Sequence, residues 1–330
     1  MTAPDNSTIT AATSARYRAE LPQLHGRPMA ADGGLETDLI FHHDVDLPSF
    51  ASFPLLDDER GRELLDAYFQ NYVDIARRHS VGAVLETPTW RANPEWGATV
   101  GYGAVELDRV NRAAVDQLVA VRERNPEVEP IVISGCIGPR GDGYLADTHM
   151  SPGDAQAYHA PQIASFSDTP ADLVSAYTLV EPNEAIGIVR AARIVAMPVA
   201  ISFTVETDGL LASGTTLAAA IDTVDAETDG GPDYYLVNCA HPTHIAHALG
   251  DGDDDAPWRE RVLGVRANAS KMSPAELDEA AALDDGDPDA LAAAHAQLRL
   301  AFPNLTVAGG CCGTDHRHVE AIWSSWPTRG

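Results

Sequence analysis

Lysine is nearly missing from this chain: Lys271 is the only one in 330 residues. Basic residues are few altogether, with 22 Lys and Arg against 49 Asp and Glu, a formal net charge of 22 − 49 = −27. A surface of that sign repels phosphate backbones and anionic lipid, which excludes nucleic acid and membrane surfaces as partners. No run of eighteen or more apolar residues occurs, so no membrane span is expected. Residues 1–20 are polar and rich in Thr and Ala, without the basic start and apolar core of a signal peptide, and a cytoplasmic protein is expected. No Gly-x-Gly-x-x-Gly follows the first apolar run, and Gly135-Cys136-Ile137-Gly138-Pro139-Arg140-Gly141 has the wrong spacing and a proline where a helix should open. That argues against a doubly wound dinucleotide-binding sheet. Four cysteines do not make a disulfide framework in such a chain; they point to metal or catalysis. The acidic, lysine-poor composition suits a high-salt cytoplasm, where screening quiets self-repulsion, and equally an acidic protein from a GC-rich genome.

What is present is a repeating strand–helix pattern. Apolar, β-branched runs at 28–32, 81–87, 130–135, 173–179, 198–204, 234–238, 262–266 and from Leu305 read as eight strands. Between them lie helical periodicities over 57–79, 105–124, 152–166, 183–196, 215–224, 243–249, within 274–283 or 289–300, and over 315–323. The strands are continuous apolar runs, as in a parallel sheet covered on both faces, and eight such units at this length predict a single-domain (β/α)8 TIM barrel. Residues 1–26 read as a polar N-terminal arm and 27–330 as the barrel. In that fold the carboxyl ends of the strands meet on one face, bringing Asp32, Glu86, Cys136, Glu206, Cys239, Cys311 and Cys312 to one rim.

The cysteines carry the chemistry. Leu305 to Thr314 is a short strand opening into Gly309-Gly310-Cys311-Cys312-Gly313-Thr314, and Tyr234 to Cys239 is another strand ending in a thiol. Three thiolates from two strand ends make a soft zinc site with one position open, the layout of a catalytic metal. A closed structural zinc, with His241 as fourth ligand, and plain buried thiols are the competing readings. Cys136 reads as a small buried hydrophobe. His241, His244 and His247 fit one face of a surface helix, and His316 and His318 are expected to face solvent. The acidic loops Asp251 to Asp255 and Asp284 to Asp287 read as solvated surface, since neither has the calcium-loop spacing. Asp32, after a strand and before two glycines, is placed either to hold an ammonium group or to cap a turn.

These residues resemble the homocysteine S-methyltransferase family over nearly the whole chain, from Asp32-Gly33-Gly34 to Gly309-Gly310-Cys311-Cys312-Gly313-Thr314. Val237-Asn238-Cys239 paired with that second motif is the specific signature; Glu86 to Asn93, Gly135 to Pro139 and Ile201 to Thr204 look like weaker ones. The resemblance implies a barrel that moves a methyl group onto the sulfur of homocysteine, with one Zn²⁺ per chain held by Cys239, Cys311 and Cys312. It implies substrate contacts from Asp32, Gly33, Gly34, Glu86, Thr87, Asn238 and Gly310, and no catalytic residue beyond the zinc site. The chemistry agrees: a free thiol with a pKa near ~8.5 is mostly protonated at neutral pH, and zinc binding makes it a thiolate. S-methylmethionine or S-adenosylmethionine is the expected donor, with betaine and a methylated corrinoid behind them; a corrinoid would have to come from a separate partner protein. A zinc-binding or redox-sensing barrel without turnover, or a methyltransferase for another small thiol or selenol, is the alternative. One departure stands out. Where the family often carries Glu-Thr at the fourth strand end, this chain has Tyr177-Thr178, with Glu181 as a shifted substitute.

Overall fold

The computed structural model describes residues 14–146, 149–250, 256–273, 276 and 283–327. Eight strands, β1 (Met29–Ala31), β2 (Gly82–Glu86), β3 (Ile131–Ile137), β4 (Leu173–Leu179), β5 (Val199–Thr204), β6 (Tyr234–Asn238), β7 (Val262–Ala267) and β8 (Val307–Gly310), close into a barrel in chain order. Every pairing is parallel, and β8 pairs with both β7 and β1. The apolar runs are buried on both faces because helices cover the outside, which is why they show no polar alternation. The helices are α1 (Leu35–His43), α2 (Glu59–His79), α3 (Pro94–Thr99), α4 (Ala104–Arg124), α5 (Pro152–Ser167), α6 (Pro182–Ile194), α7 (Leu217–Thr228), α8 (Pro242–Gly250), α9 (Pro257–Arg261), α10 (Pro288–Ala301) and α11 (His316–Ser324). The chain is thus a (β/α)8 barrel, as expected.

Inside the barrel every second strand residue points inward, and those side chains change from apolar to polar toward the carboxyl ends. Val84 gives way to Glu86, Val132 to Ser134 and Cys136, Leu173 to Ser175 and Tyr177, and Leu236 to Asn238. The lower layers are a packed plug; the top layer is a polar floor. Residues of the N-terminal arm close the opposite end. Leu21 is buried in the interior cluster, Tyr17 N donates to Asp172 at 2.7 Å, and Gln23 donates to the Tyr234 hydroxyl at 3.3 Å. Asp172 and Tyr234 sit at the starts of β4 and β6, so residues 14–26 form the barrel's lower lid.

Some details differ from the sequence expectations. A helix, α1, follows Gly34 directly, and the polar stretch around Trp96 contains the short α3, opened by Pro94 and capped by Asn93. β8 begins at Val307, two residues later than expected. Of the two alternative helices before it, 288–301 is helical, capped by Asp287; most of 274–283 lies outside the described residues, as does the loop 251–255. The second acidic loop is occupied by the protein's own groups: Asp284 accepts from Ser270, Asp285 pairs with Arg317, and Asp287 caps α10. No helix among the described residues is long and apolar enough to cross a membrane.

Candidate metal centre

Three sulfurs converge over the polar floor. Cys239 follows β6 in a left-handed backbone conformation (φ 53°), and Cys311 and Cys312 follow β8. Their Sγ atoms all lie within 4.8 Å of one another, and among the described residues no other His, Cys, Asp or Glu joins the group. In this structure Cys239 and Cys311 are joined as a disulfide while Cys312 is a free thiol, its Sγ 3.9 Å from that of Cys239. As reduced thiols the three form a soft donor set for a thiophilic divalent ion, with no fourth protein ligand to close it. His241 is turned away: its ring bonds Thr243 at 2.9 Å, and burial lowers its pKa to about 4.

The sulfurs are held by a tight backbone frame. Asn238 bridges three strands: its Oδ1 accepts from Thr178 N at 3.0 Å and from Ser202 at 2.7 Å, and its Nδ2 donates to Thr178 Oγ1 at 2.9 Å. Thr178 is itself left-handed (φ 64°), at a register shift between β4 and β5. Asn268 donates to the Cys239 carbonyl at 3.0 Å, and Thr314 to that of Cys311 at 2.7 Å. The glycines of the β1 loop serve this packing: a Cβ on Gly33 would stand 2.6 Å from the Tyr72 hydroxyl, and one on Gly34 would stand 2.4 Å from the Cys311 carbonyl. From above, the Tyr144 hydroxyl donates to Cys239 Sγ at 3.4 Å and lies 3.6 Å from Cys312 Sγ. Its loop is fixed by Arg91, which is stacked between Trp90 and Trp96 and donates to the Gly141 and Asp142 carbonyls.

Beside the sulfurs lies a cavity of about 80 Å³ that opens at the barrel mouth. Asp32, Gly33, Gly34, Glu86, Thr87, Asn238 and all three cysteines line it, as does Cys136, which is a buried free thiol. Gly310 does not face the cavity; its carbonyl accepts from Arg266 Nε at 3.1 Å. Glu206 is half-buried away from it. Thr87 Oγ1 is committed to Cys136 N at 2.8 Å. Asp32 is paired with the buried guanidinium of Arg266, which also donates to the Gly33 carbonyl at 3.1 Å. Burial pushes the Asp32 carboxyl up to about 7 against the pull of Arg266. Burial likewise raises Glu86, which Arg266 and the hydroxyls around it partly offset. The Tyr177 hydroxyl donates to Glu86 Oε1 at 2.8 Å, and its own pKa is held well above the ordinary value by burial and by that carboxylate.

Arg266, Tyr144 and the Tyr177–Glu86 pair were not expected. Arg266 had a readable sign: it closes the apolar run of β7 at the inward register, two residues after Gly264. His318 corrects the sequence reading. It is fully buried, bonding Asp315 at 3.1 Å and the Asp285 carbonyl at 2.7 Å, because the first turn of α11 rotates it onto the acidic loop. His241 is buried before α8 starts, so only His244 and His247 lie on that helix's outer side.

A family profile described as homocysteine S-methyltransferase matches residues 29–325. Among solved structures, the homocysteine methyltransferase MmuM from Escherichia coli is similar in three forms. Its oxidized form has 22% identity and a TM-score of 0.71 over 90% of this chain and 95% of that one. Its metallated form has 19% identity and a TM-score of 0.71 over 93% and 99%, and its apo form 18% and 0.65 over 94% and 100%. At such identities the likeness shows the fold. Among the curated proteins no match is found.

Proposed function

We propose that this chain, which belongs to the homocysteine S-methyltransferase family, transfers a methyl group from a small sulfonium donor to the thiolate of homocysteine. Cys239, Cys311 and Cys312 would hold one zinc ion per chain. The observation that carries the reading is the convergence of these three sulfurs, without a fourth protein ligand among the described residues, on the wall of a cavity lined with buried carboxylates. Bound zinc supplies the Lewis acidity that keeps a ligand thiol deprotonated at neutral pH.

The chain's own residues do the rest. Tyr144 donates a hydrogen bond onto the sulfur cluster and covers one side of it. Trp90 and Phe50 add apolar walls that keep water from the acceptor sulfur. Asp32, Gly33, Gly34, Glu86, Thr87 and Asn238 bound the space for the acceptor's amino-acid end, and Gly310 supports it from behind through Arg266. A cationic donor suits this cavity, because three carboxylates (Asp32, Glu36 and Glu86) face one guanidinium and aromatic faces line the mouth. That charge balance favours S-methylmethionine or S-adenosylmethionine over a corrinoid carried by a separate protein. A centre that needs its thiols reduced also suits a cytoplasmic setting.

The test is a methionine-formation assay on zinc-loaded, reduced protein with homocysteine and, in turn, S-methylmethionine, S-adenosylmethionine, betaine and methylcobalamin. Methionine should form with a sulfonium donor. Homocysteine left unmethylated by all four would overturn the proposal.

A further inference from the structure

Of the three carboxylates on the cavity wall, two already have partners. Asp32 is held by Arg266, and Glu36 accepts from the Ser52 hydroxyl at 2.8 Å. Glu86 is different. Its Oε1 accepts from Tyr177, but its Oε2 is buried without any hydrogen-bond partner among the described residues. The nearby Ser134 and Ser175 hydroxyls favour its charged form; their mutual bond at 2.7 Å uses one of the two hydroxyl protons, and neither serine stands in hydrogen-bond geometry to Oε2. Arg266 makes no hydrogen bond to Oε2 either; its Nε and one terminal nitrogen go to Asp32 and the carbonyls of Asp32, Gly33 and Gly310. A buried carboxylate oxygen left unpaired is costly, and the residue is only 4% exposed.

Deepening the proposed function, and resting on it, we infer that Glu86 is the specificity-determining residue of this pocket: its free Oε2 takes the primary ammonium of the acceptor thiol. Tyr177 acts as a positioning residue. Its hydroxyl reaches across from β4 to hold Oε1, which leaves Oε2 to the ligand. The acceptor class that follows is a compact aminothiol, and a thiol without the amine gains nothing from Glu86.

Calorimetric titration of reduced, zinc-loaded protein with L-homocysteine and with 4-mercaptobutyrate, the same thiol lacking its amine, tests this. Wild-type protein should bind homocysteine at least about tenfold more tightly, the least that a desolvated charge pair is expected to give. Glu86→Gln keeps the side-chain shape and should bring the two affinities within about twofold of each other, while binding of 4-mercaptobutyrate holds or improves as a negative charge is removed. Retained 4-mercaptobutyrate binding also shows that the variant pocket is intact. Tyr177→Phe should reduce the preference without abolishing it. A Glu86→Gln protein that still prefers homocysteine tenfold overturns the assignment alone. Wild-type protein that binds neither thiol overturns the methyl-transfer reading, and the assignment falls with it.

Discussion

Replacing Arg266 with leucine should destabilise the barrel by an amount that grows with pH. The guanidinium pairs with Asp32 and donates to the Asp32, Gly33 and Gly310 carbonyls, all inside the barrel mouth. Stranding those acceptors should cost about 2–3 kcal/mol near neutral pH, at ~1 kcal/mol for each hydrogen bond lost. Asp32 supplies the pH dependence. Burial raises its folded pKa to about 7, so relative to the unfolded chain its contribution to stability is fully present below about 3.8 and is lost as pH rises through about 7. Without Arg266 the carboxyl rises further, and the folded variant keeps a proton that the unfolded chain has released. Above pH 7 the variant should therefore lose a further ~1.4 kcal/mol per pH unit relative to wild type, or about 2 kcal/mol by pH 8.5. Urea denaturation of both proteins near pH 6.5, 7.5 and 8.5 measures the difference. Adding Asp32→Asn to the variant should remove most of the slope, leaving the smaller share from Glu86, which also feels Arg266. A destabilisation that stays constant across this range would refute the claim that Arg266 keeps Asp32 ionised.

Further outcomes follow from the same geometry. Cys312→Ser should lose most of its zinc by metal analysis with an unchanged circular dichroism spectrum, whereas Cys136→Ser should keep its metal; full retention in Cys312→Ser would sink the ligand assignment. Homocysteine binding near pH 7 should release up to about one proton to buffer, because the free thiol titrates near ~8.5, and calorimetry in two buffers of different ionisation enthalpy reads it. Asp315→Ala should cost about 1–2 kcal/mol, since Asp315 caps α11. Burial alone would raise the Asp315 carboxyl, but its bonds to His318 and Arg317 outweigh that and hold it low, so its contribution should be present above about pH 4 and fade below it. With a net charge of −27, the melting temperature should climb from low salt toward ~1 M KCl as the Debye length shrinks to a few ångströms; no change would show that acidic repulsion does not limit stability.

Sequence pattern revealed the frame better than the furniture. Each barrel strand appeared as an apolar run because parallel strands are buried on both faces, and the cysteines stood out because glycines and strand ends surround them. Arg266 was passed over because one charge at the end of an apolar run reads as the strand stopping; its purpose depends on Asp32, which lies 234 residues away in the chain. Tyr177 looked like a lost carboxylate, and only the closed barrel shows its hydroxyl meeting Glu86. The helix α1 was missed because its hydrophobic residues are not gathered on one face. His318 was misjudged because sequence places a residue in a first turn without saying which way that turn faces.

The order of the strands also sets a timetable. Cys239 stands at the end of the sixth strand, while its two companions follow the eighth, which enters the sheet by pairing with both the seventh and the first. Until the last strand inserts, the cavity wall carries Cys239 and the more deeply set Cys136 but neither Cys311 nor Cys312. The three-sulfur site is thus complete only once the ring has closed. A nascent or truncated product that stops short of the eighth strand would lack two of the three sulfurs of the site and should hold zinc far more weakly than the whole chain.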